Sequence, residues 1–243
     1  MKKNSILVIL FGVLLIVFGF VNPFNLGVEE KSKDSNDAKK DVQPVVQTKN
    51  FDGVYKKDNI VLKIYTLDNK IKYNILANDS YTAKGEADIT DDTATATIFE
   101  KNYTFKLNGN NITLETNDAG FDSGEYVKEK NYTANDYFTD NYGDPKFVTS
   151  EITGLYEQEN NKLYVYQMAD NKISFKAELI NNNTVVGEAE LDANGNYTVT
   201  IPENTYSLKY ENKNITLTST DPTFSGTYTK KQPLTVEDII KKF

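Results

Sequence analysis

The sequence predicts an all-β protein: two tandem antiparallel meander β-barrels of about eight strands each, each followed by a short helix, after an N-terminal transmembrane helix. Three observations predict this. The chain repeats itself, its apolar residues alternate with period two, and it opens on two lysines and an apolar run. Gly53-Val54-Tyr55 returns as Gly154-Leu155-Tyr156, Gly85-Glu86-Ala87-Asp88 as Gly187-Glu188-Ala189-Glu190, and Asn111-Ile112-Thr113-Leu114 as Asn214-Ile215-Thr216-Leu217. Ordered similarity at a period of about 102 residues marks two copies of one unit.

In chain order, Met1-Lys2-Lys3 precedes an apolar run from Ile6 to Val21, the pattern of an export signal. The run exceeds the usual signal core, no Ala-x-Ala site follows, and no cysteine is present for a lipid anchor. Residues 1–24 are therefore expected to be an uncleaved signal anchor, with a cleaved signal peptide as the alternative. Lysines on the cytoplasmic side put everything after Val21 outside the cell membrane. Residues 25–50 mix charges without apolar periodicity and read as a disordered linker, a tether between membrane and barrel.

Barrel one, residues 51–150, alternates Ile71, Tyr73 and Ile75 with Lys70, Lys72 and Asn74, then Tyr103, Phe105 and Leu107 with Thr104 and Lys106. Such alternation belongs to strands with one dry and one wet face. Asp68-Asn69, Asp91-Asp92 and Asn108-Gly109 carry turn chemistry, the last a type I′ hairpin signal. Barrel two, residues 151–243, alternates Ile173, Phe175 and Ala177 with Ser174 and Lys176, with a hairpin at Asn194-Gly195 and Pro202 at a strand end. Turns this short leave no room for helical crossovers, so each sheet meanders and closes on itself. After each last strand, Thr133 and Thr235 are N-cap candidates with Asp136 and Asp238 three residues on. Each short helix is expected to plug or pack against one end of its own barrel.

Composition excludes chemistry. Arginine, histidine, cysteine and tryptophan are all absent. Without His or Cys there is no Ser-His or Cys-His nucleophile pair and no imidazole or thiolate for a transition metal. Without Arg there is no bidentate anion clamp. A net charge of −8 argues against nucleic acid as a partner. No cofactor and no metal site is expected, and the chain is not expected to be an enzyme.

A meander barrel that opens on Gly-x-aromatic resembles the calycin group, the lipocalin and avidin type, through Gly53 with Tyr55 and Gly154 with Tyr156. Tyrosine stands where that group has tryptophan, and the arginine that lipocalins stack over the ring is missing. The resemblance implies a barrel interior able to hold a small apolar ligand.

Candidate sites are few. Tyr164 and Tyr166 lie on the strand face opposite Leu163 and Val165, and as an exposed aromatic pair they are expected to contact a partner, with Tyr55 and Tyr156 as further ligand-binding candidates. Glu86 with Asp88 and Glu188 with Glu190 are same-face carboxylate pairs, read as solvent-facing rather than catalytic. Asp192-Ala193-Asn194-Gly195-Asn196 begins like a calcium loop but reads as a turn.

By elimination, a non-catalytic, membrane-anchored extracytoplasmic binding or interaction protein of the bacterial cell envelope is expected. Its partners would be the membrane, through residues 6–21, and an envelope protein or polymer, the two copies suiting a repeated partner. The alternative is a carrier or sensor of a small apolar ligand held in the barrels; a carboxylate-based hydrolase comes third.

Overall fold

The computed structural model describes residues 49–78 and 81–243, which belong to one compact unit. The anchor read at residues 1–24 and nearly all of the linker read at 25–50 lie outside the described residues. Among the described residues, no helix is long and apolar enough to cross a membrane.

The first copy forms eight antiparallel strands: β1 (Gly53–Lys57), β2 (Ile60–Leu67), β3 (Lys70–Ala77), β4 (Tyr81–Thr90), β5 (Thr93–Ile98), β6 (Lys101–Asn108), β7 (Asn111–Thr116) and β8 (Gly124–Lys130). They pair in sequence order, and β8 returns to β1 to close the barrel. The second copy repeats this with β9 (Gly154–Gln158), β10 (Asn161–Ala169), β11 (Lys172–Glu178), β12 (Thr184–Leu191), β13 (Tyr197–Ile201), β14 (Asn204–Glu211), β15 (Asn214–Ser219) and β16 (Gly226–Gln232), closed between β16 and β9. Both closing seams carry a register shift near the end of the last strand. The joins β4–β5, paired over Asp88–Thr90, and β12–β13, paired at Glu190 and Leu191, are short among the described residues.

Period-two alternation decides which side chains fill the lumens. Leu62, Ile64, Ile71, Tyr73, Ile75, Phe105, Ile112 and Leu114 are buried inside barrel 1, and Leu163, Val165, Ile173, Phe175, Leu208, Ile215 and Leu217 inside barrel 2. Gly85 on β4 faces this packing. A Cβ there would stand 2.5 Å from Ile98 Cδ1 and 3.0 Å from the Tyr73 hydroxyl, so the glycine makes room for both side chains. The hairpins follow turn chemistry: Asp68 and Asn69 both take positive φ, as a type I′ turn requires. The Asn108-Gly109 signal is displaced by one residue. Asn108 pairs with Asn111, so Gly109 leads the two-residue loop and is alone in positive φ, the type II′ pattern.

α1 (Ala134–Asn141) and α2 (Val236–Lys242) both begin in full capping boxes, Thr133 with Asp136 and Thr235 with Asp238. Neither helix plugs a barrel end. Each lies on the outer wall of its own barrel: Lys63 on β2 reaches Asp140 of α1 at 2.6 Å, and Lys176 on β11 donates to the Lys242 carbonyl at 3.1 Å. Their apolar faces form a third core between the barrels, with Tyr65, Tyr137, Phe138, Tyr166, Ile239 and Ile240 buried together. A helix of two turns cannot fill a lumen already packed by eight strands' worth of inward side chains; the outward tyrosines of β2 and β10 offer it the uncovered apolar surface.

Candidate functional site

The four tyrosines singled out above fall into two places. Tyr55 and Tyr156 lie inside the barrels, 1% and 0% exposed. Each hydroxyl donates to the carbonyl four residues back, Phe51 at 2.8 Å and Ile152 at 2.7 Å. Tyr126 and Tyr228 on the last strands do the same with Asp122 and Phe224, at 2.7 and 3.3 Å. Burial pushes the Tyr55 and Tyr156 phenols well above their ordinary range, so both stay neutral donors. Gly53 permits the arrangement, because a Cβ there would lie 2.8 Å from the Tyr55 ring and 2.9 Å from the Lys128 stem. A cation does stand over each ring, Lys128 at 5.9 Å from Tyr55 and Lys230 at 5.9 Å from Tyr156. These two tyrosines are core residues, each buried in and bonded within its own barrel.

Tyr164 and Tyr166 do point away from Leu163 and Val165, as alternation requires, but they are not exposed: 4% and 2% of their surface remains accessible. The chain covers them itself. Lys242 of α2 stands 4.8 Å over the Tyr164 ring, and Tyr166 meets Phe243 at 4.9 Å and Phe138 of α1 at 5.9 Å, both edge-on. Tyr65 occupies the matching place on barrel 1, 5.7 Å from Tyr137, and its phenol is pushed up to about 12 by burial and then by Glu237 of the other copy's helix. Lys241 of α2 pairs with Asp68 of barrel 1 at 3.0 Å. Each helix therefore touches both barrels, and the tyrosines are mortar between the two copies. Period-two reading gives the side of a strand a residue is on but not what covers that side.

Three of the four paired carboxylates are held by lysines on the outer wall. Glu86 is bonded to Lys72, Asp88 lies 3.3 Å from Lys70, and Glu188 lies 2.5 Å from Lys172. Asp192 accepts from the backbone N–H groups of Asn194 and Asn196 at 2.8 and 2.9 Å, chiefly the latter holding its carboxyl below the ordinary range. That is the work of a turn aspartate.

Among the described residues, clefts of appreciable volume lie outside the barrel walls. One, about 350 Å³, runs between β3, β4 and the end of α1, past Asn74, Lys84 and Asp140. A second, about 740 Å³, lies between the connector Pro145–Glu151 and the turn from β16 into α2. The third, about 340 Å³, adjoins it at the end of barrel 2 and is lined by Tyr210, Lys213, Lys230, Lys231, Gln232 and Glu151. Here alone among the three, lysines dominate the lining. Burial and the neighbouring Lys213 lower the affinity of Lys230 for its proton, against a pull the other way from Glu151. Sequence reading missed this group because its members come from the β14–β15 turn, the last strand and the inter-barrel connector, which only barrel closure brings together.

No family model matches the chain, and no curated protein does. Among solved structures it is similar to the DNA polymerase III subunit beta from Pseudomonas aeruginosa, with 7% identity, 83% of this chain and 62% of that one covered, and a TM-score of 0.18. It is also similar to the beta subunit from Thermotoga maritima, with 11% identity, 79% and 58% covered, and a TM-score of 0.16. The chain thus spans 62% and 58% of the length of these two, and likeness at such TM-scores carries no argument about fold or function.

Proposed function

We propose that the chain is a non-catalytic, membrane-anchored extracytoplasmic binding or interaction protein of the bacterial cell envelope. The observation that carries this reading is the occupied interior. Both lumens are filled by buried aromatic and aliphatic side chains, while the clefts lie on the outer wall and beside the seam. Contact with a partner then falls to the outside. A carrier of small apolar ligands would need room that Phe105, Tyr73 and Phe175 take up. A carboxylate hydrolase would need two acids facing one pocket, whereas Glu86, Asp88 and Glu188 hold lysines on the wet face. Lys2 and Lys3 before the run Ile6–Val21 support the anchor, and the charged stretch 25–50 the tether.

Protease added to intact cells that express the full chain with a C-terminal tag tests the placement. The reading expects the tag to sediment with membranes and to be removed from outside, and expects deletion of residues 6–21 to abolish both. A tag protected in intact cells and recovered in the soluble fraction would contradict it.

A further inference from the structure

We infer that the lysine-lined cleft at the end of barrel 2 binds a phosphate-bearing ligand. Lys213 comes from the turn between β14 and β15, Lys230 and Lys231 from the end of β16, and Glu151 from the connector. Three ammoniums against one carboxylate leave two positive charges unbalanced in a chain whose net charge is −8. Among the described residues, none of these three lysines has a carboxylate oxygen within 4.0 Å. Lys230 Nζ instead donates to the Glu151 carbonyl at 2.5 Å, which fixes the ammonium at the cleft wall.

The first copy does not reproduce this. At the repeat-matched positions it has Asn110 for Lys213 and Glu129 for Lys231, and Glu129 sits 4.0 Å from Lys56. Lys213 also takes a left-handed turn position, φ 63°, that Asn or Gly fills at less cost. Charge has been gathered in barrel 2 at some expense to the turn.

The chemistry favours phosphate over other anions. Lysine binds as a rotatable point charge rather than a planar fork, which suits a tetrahedral group better than a carboxylate. A phosphate monoester carries about −1.5 to −2 charges at neutral pH, close to the imbalance of the cleft. Tyr210 and Gln232 line the cleft as uncharged polar residues, and Pro233 and Val236 continue into the adjoining 740 Å³ cleft as an apolar shelf for a carbon stem. The inference deepens the surface-binding reading and rests on it. The two fail separately: cell-surface protease bears on placement, and the titration below bears on the cleft.

The test is calorimetric titration of the full chain with glycerol 3-phosphate at low ionic strength, alongside short-chain phosphatidylglycerol kept below its micelle concentration. Binding of either supports the cleft, and which of the two binds better separates a free phosphate ester from a lipid headgroup. Lys213→Asn keeps a residue suited to the turn, and with Lys231→Gln should weaken binding about tenfold, while Lys106→Gln on barrel 1 leaves it unchanged. A thermal transition shared by variant and parent keeps misfolding apart from lost affinity. No binding of either probe, binding untouched by the double variant, or equal affinity for acetate at matched ionic strength would overturn the inference.

Discussion

Barrel 1 and barrel 2 differ least inside and most at one end. Tyr55 and Tyr156, Leu62 and Leu163, Ile71 and Ile173, Ile112 and Ile215, and Tyr126 and Tyr228 are pairs of the same residue at the same lumen position, all buried. At the ends, Asn110 and Glu129 face Lys213 and Lys231. The contrast teaches where each constraint acts. A lumen of fixed strand number accepts only side chains that fill it, so two copies of one barrel stay alike there. The outer wall carries no such demand, and its differences mark where the copies do different work.

The largest expected effect tests whether the two barrels are one body. Phe138 of α1 is buried against Tyr142 at 5.5 Å and Tyr166 at 5.9 Å, the latter on the other barrel. Phe138→Ala should cost about 3–5 kcal/mol. Hydrogen exchange should then show peptides of both barrels losing protection together. Loss confined to barrel 1 would break the picture of a shared seam.

Next come the core tyrosines. Tyr55→Phe and Tyr156→Phe each leave a buried carbonyl without its donor, Phe51 in one barrel and Ile152 in the other. Each should cost about 1–3 kcal/mol in denaturant unfolding, and by similar amounts, because the copies are alike at this point. A cost in one barrel and none in the other would show that the likeness is only geometric.

An inner position where the copies differ in polarity sharpens the comparison. Among the described residues the buried Tyr73 hydroxyl has no hydrogen-bond partner, and Phe175 stands at the matching place. Tyr73→Phe should therefore be neutral or stabilising by up to about 1 kcal/mol, while Phe175→Tyr should destabilise by about 1–3 kcal/mol. Urea midpoints of the two single variants decide it.

The smallest effect concerns a helix cap. Asp136 accepts from the Thr133 hydroxyl at 2.7 Å and the Thr133 N–H at 2.9 Å, and those bonds hold its carboxyl below the ordinary 3.8. The folded state thus holds the proton less readily than the unfolded chain. The stabilisation is fully present above that ordinary value and is lost as pH falls through the lower folded value. Asp136→Asn should lower the urea midpoint at pH 6, with the gap to the parent closing below pH 4. A gap that stays constant with pH would remove the carboxylate from the account.

Most of the frame was legible in the sequence because barrels obey a local rule. Alternation at Ile71-Tyr73-Ile75 and Tyr103-Phe105-Leu107 assigns lumen and surface without any distant contact. Thr133 with Asp136 likewise marks a helix start within four residues. What failed were statements about what lies against an outer wall. Tyr164 and Tyr166 sit on the side alternation assigns them, yet they are covered by helices that begin and end far along the chain. The lysine cleft was invisible for the same reason. Lys213 and Lys230 are separated in sequence and meet Glu151 only once β16 closes against β9.

The central claim is that both lumens are filled by the chain itself, so that contact with partners happens outside. Native mass spectrometry of the full chain, extracted in mild detergent from its own envelope, tests that most directly. The account predicts the bare protein mass for the Lys213→Asn/Lys231→Gln variant once detergent is stripped, any adduct on the parent being confined to the outer cleft. A stoichiometric non-protein adduct that survives the Lys213→Asn/Lys231→Gln changes and is lost only on unfolding would place a ligand inside a barrel and contradict it.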